Sequence, residues 1–254
     1  ATTSSSTPAR KFTTTAPTLT GAGNSGTNTV GIIAGAIGAI TSGSAGTDFV
    51  TYNPPTGAVN GLRILDTATE YSSDVAPTAN VNYRLTAARA ENVASLAVNS
   101  ILLTSAGAFT YNYDNAAGGT SVITVTSGNV LSTGGGAHTF GPSQAVVSPI
   151  AFGAAGTEGK IFTVSDLIFG GATTSSMTNT GNGVTKGGSG AWIQTSPNLI
   201  ATQGITVNSG TLQLGAANRI ADGNPITVAA DGTFDLNGFA DTIGALNLRS
   251  GNTL

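Results

Sequence analysis

The chain has 254 residues, of which 39% are hydrophobic, 8% are charged and 36 are glycine; it has no cysteine and a formal net charge of −3. The absence of cysteine excludes disulfides and thiolate metal sites, and nine basic residues without a cluster argue against a nucleic-acid partner, which clustered Lys and Arg would bind. Disorder normally requires low hydrophobicity and high net charge, so we expect a buried core, narrow and aliphatic, with few aromatic side chains.

The N-terminal part of the chain divides in two by composition. Residues 1–29 are dominated by Thr, Ser, Gly and Asn, which predicts an extended or flexible N-terminal segment. Residues 30–80 have strand-like stretches and a Pro54-Pro55 turn, and we expect them to form the β-rich N-terminal part of a solenoid. Their longest apolar run, at 30–40, falls well short of the ~20 residues that cross a bilayer, so the sequence predicts no transmembrane segment.

Residues 81–254 carry a repeated β pattern. Ile205-Thr-Val is followed by Ser-Gly and Thr-Leu-Gln-Leu, and Ile226-Thr-Val is followed in the same way by Asp-Gly and Thr-Phe-Asp-Leu. Short alternating strands joined by a glycine turn and repeated at a fixed period are typical of a β-solenoid. We therefore predict an all-β chain that forms a parallel β-helix with rungs of about 20–22 residues.

Weaker copies of the pattern lie upstream. Ile123-Thr-Val precedes Ile205 by close to four repeats, and Phe162-Thr-Val follows Ile123 by about two repeats. Residues 84–97 have roughly helical spacing and a high alanine content, so a helix is the alternative there. Strands separated by a turn also fit this stretch, and we expect β structure.

The C-terminal motifs are more specific. Residues 184–192 (VTKGGSGAW), 205–218 (ITVNSGTLQLGAAN) and 231–246 (DGTFDLNGFADTIGAL) resemble the autotransporter-associated β-strand repeat of bacterial surface and secreted proteins. In that family the pattern runs GVTKxGxGTLTLSGxNTYTGxTxVNxGTLxLG and then GGTLDLNGFxxTIGxL. The resemblance covers about residues 183–248. It implies a right-handed parallel β-helix outside the cell or on its surface, often the passenger part of a larger polypeptide.

A structural role follows from this reading. We expect a rod that acts as a stalk, or as a filament or surface-layer subunit whose copies associate end to end. The alternative is an adhesin-type binding module for a glycan or a surface, with residues 107–120 as its best candidate loop. A polysaccharide-active β-helix enzyme is third, because the nine basic and twelve acidic side chains are few for such a site and are spread over the chain. We predict that the chain is not an enzyme and needs no cofactor.

Three aromatic residues are the candidates for stacking on sugars: Tyr111, Tyr113 and Trp192. The alternative is that these rings pack against the rungs. The single histidine, His138, follows three glycines and has no nearby carboxylate, so we predict an exposed turn residue without a catalytic role.

The densest acidic set offers calcium candidates in Asp222, Asp231 and Asp235, with Asp241 close by. Aspartates in equivalent turns of stacked rungs lie ~5 Å apart, and their oxygens suit calcium or paired-carboxylate chemistry. The Asp222-Gly223 and Asp231-Gly232 pairs are also typical of tight turns in which glycine has a positive φ, and we favour that role.

Overall fold

The computed structural model shows an all-β protein, as the sequence predicts. It describes residues 16–53, 61–92, 95–114, 122–141, 150–153, 156–170, 177–179, 182–197 and 199–249. Every element assigned in these ranges is a β-strand. The described residues of the 84–97 stretch belong to strands or the turns between them, and the helical alternative for them is wrong. Among the described residues there is no helix long and apolar enough to cross a membrane.

The N-terminal strands form a small antiparallel sheet of their own. Its strands are β1 (Ile37–Gly38), β2 (Asp48–Asn53) and β3 (Gly61–Ile64). Parallel neighbours need a crossover of a dozen or more residues, whereas fewer residues separate these three strands, which pair antiparallel. This part of 30–80 therefore lies outside the parallel sheet, unlike the sequence prediction. The Pro54-Pro55 turn falls outside the described residues.

The other seventeen strands pair only in parallel and belong to one sheet. They are β4 (Ser72–Ser73), β5 (Asn82–Leu85), β6 (Arg89–Asn92), β7 (Ser95–Thr104), β8 (Thr110–Asp114), β9 (Val122–Thr133), β10 (His138–Phe140), β11 (Ile150–Phe152), β12 (Gly159–Thr163), β13 (Leu167–Phe169), β14 (Met177–Asn179), β15 (Val184–Gly187), β16 (Ala191–Gln194), β17 (Ile200–Ala201), β18 (Ile205–Leu214), β19 (Ile226–Asp235) and β20 (Leu246–Leu248).

These strands stack in three ladders. The first contains β4, β5, the C-terminal halves of β7 and β9, then β12, β15, the N-terminal halves of β18 and β19, and β20. The second contains β6, β8, β10, β13, β16 and the C-terminal halves of β18 and β19. The third contains the N-terminal halves of β7 and β9, then β11, β14 and β17. From β7 to β18 the chain enters the third, first and second ladders in turn.

The rungs at the C-terminal end have the predicted length. Thr185, Thr206, Thr227 and Asn247 occupy one column of the first ladder, and the residue number advances by nearly the same step from each to the next. Upstream the turns are longer, since Asn129 pairs with Lys160 in the same ladder. Loops on a surface tolerate such insertions while the strands keep their stacking.

Because the turns differ in length, the predicted equivalence of Ile123 with Ile205 is wrong. Ile123 pairs with Ile150 in the third ladder, whereas Ile205 lies in the first ladder, so the two positions are not equivalent. Only three turns separate Asn129 from Thr206, and not four. The similar letters at Ile123 and Ile205 reflect the alternation that strands on every ladder share.

The core runs along the inside of the ladders. Alternate residues of each strand are buried there, from Val81 to Val228. Contrary to the expectation of few aromatic residues, a column of rings follows the second ladder: Tyr111, Phe140, Phe169 and Trp192, with successive centroids 5.4, 5.5 and 5.8 Å apart. Tilted and edge-on ring pairs at these distances add to the stability that burial provides.

The antiparallel sheet packs against the outer side of the first ladder. Leu102 and Leu131 point outward there and form a second buried cluster with residues of the N-terminal part: Val30, Ile32, Phe49, Leu65 and Tyr71. Asn82 stabilises this contact, since its side-chain amide donates a hydrogen bond to the carbonyl of Val30 at 2.9 Å. One face of the ladder is thereby shielded from water.

Candidate functional site

The aromatic residues proposed for sugar stacking lie in the core. Tyr111, Tyr113 and Trp192 are all buried. The indole Nε1 of Trp192 donates to Oε1 of Gln194 at 3.0 Å, and Nε2 of Gln194 donates to the carbonyl of Ser196 at 2.8 Å. The rings of Tyr111, Tyr113 and Trp192 therefore have no face open to a ligand. Their position fits the alternative in which they pack against the rungs. Of the candidate loop 107–120, residues 115–120 fall outside the described residues.

The calcium candidates do not stack on one another. Asp231 pairs with Ser209 of the preceding rung and Asp235 pairs with Gln213, so neither carboxylate has an acidic neighbour in its column among the described residues. Asp222 is exposed in a turn. In the part of the chain that the structure describes, no three His, Cys, Asp or Glu side chains are grouped to hold a metal ion.

Asp235 has internal partners instead. Its Oδ2 accepts a hydrogen bond from Nε2 of Gln213 and its Oδ1 accepts one from the backbone amide of Asn237, both at 2.7 Å. These hydrogen bonds, from Gln213 first and Asn237 second, lower the pKa of Asp235. The carboxylate thus ties one rung to the previous one.

One of the two predicted Asp-Gly turns is confirmed. Asp222-Gly223 is a turn in which Gly223 has a φ of +83°. Asp231-Gly232 is not a turn, because both residues lie within β19. Gly232 is needed for a different reason: a Cβ there would lie 2.3 Å from the carbonyl oxygen of Val207 in the neighbouring rung.

The prediction that His138 is an exposed turn residue is wrong. It lies in β10, fully buried, with its ring centroid 4.3 Å from that of Phe109 and its Nε2 3.0 Å from the carbonyl oxygen of Thr133. Burial lowers the pKa of this imidazole, and the contact with Thr133 only partly opposes that effect. The ring acts as a core aromatic.

Sequence reasoning missed Lys186, a buried cation in the first ladder. Its Nζ donates to the carbonyls of Gly188, Gly190 and Ser209, each at 2.6 Å. Burial lowers the pKa of Lys186 to about 8, and the charge of Asp166 opposes the shift. The three N–H groups of the ammonium match the three carbonyls, so the lysine joins the corners of two successive rungs. In the sequence, the glycines around Lys186 are the only indication of this buried site.

A cleft of about 600 Å³ lies in the N-terminal part, beside Asp48, Arg63 and Glu70. Arg63 donates to both carboxylate oxygens of Glu70, at 2.5 and 2.6 Å, and Glu70 also accepts from the amides of Asp66 and Gly26. Burial alone would raise the pKa of Glu70, but these hydrogen bonds, led by that from Arg63, hold it below its ordinary value. The hydrogen-bonding groups of the Arg63 guanidinium and the Glu70 carboxylate are satisfied within the chain. This ion pair therefore holds the N-terminal loops together.

The C-terminal end of the ladders carries the main concentration of exposed apolar side chains. Leu236, Phe239, Leu246 and Leu248 are exposed there. Leu246 and Leu248 pair with Ile226 and Val228, which are buried in the core, so the two leucines continue the inward columns of the first ladder. These four side chains are the candidate interaction surface in the described part of the chain, since apolar side chains exposed together mark binding surfaces.

No family model, no curated protein and no solved structure matches this chain. The resemblance to the autotransporter-associated repeat therefore stays a prediction that rests on the quoted C-terminal motifs.

Proposed function

We propose that this chain is a right-handed parallel β-helix that serves as a structural rod of the bacterial cell exterior. The observation that carries the proposal is the cyclic passage of the chain through three parallel ladders around one continuous core. Parallel strands joined by crossovers are right-handed in about 98% of cases. Such a fold supplies length and rigidity from backbone hydrogen bonds and needs no catalytic group.

The shape follows from the ladder spacing. Nine strands stack in the first ladder, and at ~4.8 Å per strand they extend roughly 40 Å. A stack of this kind suits a stalk, or a filament or surface-layer subunit, because its length grows with the number of rungs. An outer location, on the cell or secreted from it, fits the low charge and the threonine-lined column of the first ladder.

Electron microscopy and an experimental structure test this proposal. We expect short rods, or end-joined rods, and right-handed connections between parallel strands. A globular particle or antiparallel stacking would overturn the fold. Fractionation of the producing cells with protease treatment of intact cells tests the location, and protein protected inside the cells would contradict it.

The adhesin-type alternative predicts specific retention on a glycan array. Thr110 and Asn112 lie on the outward positions of β8, next to the buried rings. Thr110→Ala with Asn112→Ala should abolish such retention without disturbing the core. Turnover of an acidic polysaccharide that Asp231→Ala or Asp235→Ala removes would instead favour the enzyme.

A further inference from the structure

A second cleft, of about 590 Å³, lies where the N-terminal segment meets the rungs that contain β7 and β9. The described residues that line it are threonines, asparagines, glycines and alanines, without a charged or aromatic side chain among them. Small-molecule sites commonly have volumes of ~300–1,000 Å³ and often lie between two parts of a structure. The cleft therefore has the size and the position of a ligand site.

Two polar side chains from the rungs line this cleft in fixed positions. Asn99 is 1% exposed, and its Nδ2 donates to the carbonyl of Thr20 at 3.1 Å and to Oδ1 of Asn82 at 2.8 Å. Oγ1 of Thr126 lies 3.1 Å from the carbonyl oxygen of Val98 and 3.3 Å from Oδ1 of Asn99. These contacts use the hydrogens of both side chains, so the lone pairs of the Thr126 hydroxyl stay available to a donor on a ligand.

A glycine lets the N-terminal segment lie directly against Asn99. Gly21 has a φ of +111°, which is a conformation that favours glycine. A Cβ at this position would lie 2.8 Å from Nδ2 of Asn99 and 2.9 Å from Cα of Gly31. The cleft is thus built by close backbone packing, which holds its lining in place before a ligand arrives.

Asn80 and Thr20 supply hydrogen-bonding groups that the chain itself does not use. The backbone amide of Asn80 donates to the carbonyl of Ala97 at 2.8 Å, which holds this residue against β7. The Asn80 side chain is exposed, and neither it nor the hydroxyl of Thr20 has a hydrogen-bond partner within the described ranges. The carboxamide offers two donors and an acceptor oxygen, and the hydroxyl adds a donor.

The cleft beside Arg63 and Glu70 does not offer such groups. The five N–H groups of the Arg63 guanidinium all donate within the chain. The Glu70 carboxylate accepts from that guanidinium and from two backbone amides. A ligand there would have to displace existing bonds, whereas a ligand in the uncharged cleft would complete missing ones.

The lining of the uncharged cleft selects the chemistry of its ligand. A charged ligand would lose hydration without gaining a counter-charge. An apolar ligand would leave the Asn80 carboxamide and the Thr20 hydroxyl without partners. The hydroxyl groups of a saccharide both donate and accept, so neighbouring hydroxyls complement the donors of Asn80 and Thr20 and the lone pairs of Thr126.

We propose that this cleft binds a neutral saccharide through Asn80, Thr20 and Thr126. Asn99 is a positioning residue, since its amide holds the backbone of Thr20 and lies beside the Thr126 hydroxyl. The inference goes beyond the structural role proposed above, because a rod needs no ligand. The site is also distinct from the outward face of β8.

Saturation-transfer NMR of the full chain with neutral disaccharides tests the site. The probes are maltose, cellobiose, lactose and N,N′-diacetylchitobiose, and we expect at least one of them to bind. Digalacturonate, an acidic disaccharide, should give no signal because the cleft has no cation to pair with it. With the bound sugar present, amide hydrogen exchange at Gly21 and Ala22 should slow.

Two substitutions and a matched control locate the binding. Asn80→Gly removes the carboxamide and suits the φ of +65° at this position, and Thr20→Val keeps the shape but removes the hydroxyl. We expect each to weaken binding by roughly tenfold. Asn218→Gly should leave binding unchanged: Asn218 is also exposed, has a φ of +53° and donates its backbone amide to the carbonyl of Ala240 at 3.0 Å, but lies outside the cleft.

Three results would overturn the inference. The first is that none of the four neutral disaccharides binds at millimolar concentration, and the second is stronger binding of digalacturonate. The third is binding that survives both Asn80→Gly and Thr20→Val; its loss in Thr110→Ala with Asn112→Ala would then place the sugar on β8. None of these results bears on the proposed rod, which the arrangement of the strands tests separately.

Discussion

Lys186 places a cation within a column of apolar side chains. Its partners in the register are Ile161 and Val207, which are both buried. A buried cation is stable only when its hydrogen bonds are satisfied, and three carbonyls do that here.

Replacing this lysine should destabilise the protein. Lys186→Met keeps most of the volume but leaves three carbonyls without a donor, and we expect a loss of about 3 kcal/mol in the free energy of unfolding. Urea denaturation measures the loss. Lys160→Met is the matched control, because the ion pair of Lys160 with Glu158 is partly exposed and its removal should cost no more than about 0.5 kcal/mol.

The same residue predicts a pH dependence. Burial holds the pKa of Lys186 at about 8 in the folded protein, whereas the unfolded lysine keeps its proton until about 10.5. Between these values the unfolded state binds more protons, so the free energy of unfolding should rise with pH above about 8. Burial raises the pKa of Tyr71, Tyr83 and Tyr111, which opposes the rise once unfolded tyrosines ionise near 10.

Urea denaturation from pH 7.5 to about 9.5 measures this slope below the tyrosine range. Lys186→Met should lack the rise. An equal slope in both proteins would show that Lys186 does not titrate in this window.

At the scale of elements, glycines permit the corners between strands. Gly210, in β18, has a φ of +66°, and a Cβ there would lie 2.3 Å from Nζ of Lys186 and 2.4 Å from the carbonyl oxygen of Gly188. Gly223 has a similar φ of +83° with nothing within 4 Å. A comparison of substitutions at these two glycines therefore separates the cost of backbone strain from the cost of steric crowding.

We therefore expect Gly210→Ala to be far more destabilising than Gly223→Ala. The second change costs only the left-handed backbone strain, about 1 kcal/mol. The first adds a steric clash with the lysine and its carbonyl partner, for a total of roughly 3 kcal/mol or more. Thermal and urea denaturation compare them, and equal losses would contradict the role assigned to this corner.

The Arg63–Glu70 ion pair holds the N-terminal loops together. Glu70→Gln removes the charge that the guanidinium needs, and we expect it to cost about 3 kcal/mol because the carboxylate is buried. Glu158→Gln, at the partly exposed pair with Lys160, should change the free energy of unfolding by no more than about 0.5 kcal/mol. Similar values for the two variants in urea denaturation would mean that Glu70 does not act as a clamp.

At the scale of the whole molecule, stability should vary along the ladders, because each rung contacts only its neighbours. Amide hydrogen exchange should be slow in β9 and β12, which the N-terminal sheet covers, and fast in β20. Uniform protection along the ladders would argue against a stack in which each rung contacts only its neighbours.

The sequence alone determined that the protein is all-β, and it determined the period of the last rungs. Both features are local: apolar alternation marks a strand, and the Ile205 and Ile226 motifs keep the same spacing because the loops between them are equally short. The parallel pairing of these motifs was also predictable, since a repeat of this length stacks like on like.

Only the tertiary structure decided what is inside and which rungs are equivalent. Alternation does not say which ladder a strand joins, so Ile123 and Ile205 look alike although loops of unequal length place them on different ladders. Tyr111, Trp192, His138 and Lys186 carry polar atoms that suggest a surface position, yet each is buried because a neighbouring strand supplies a ring or a carbonyl. Leu246 and Leu248 likewise repeat the alternation of the buried residues Ile226 and Val228 with which they pair, and only the structure shows that both leucines are exposed.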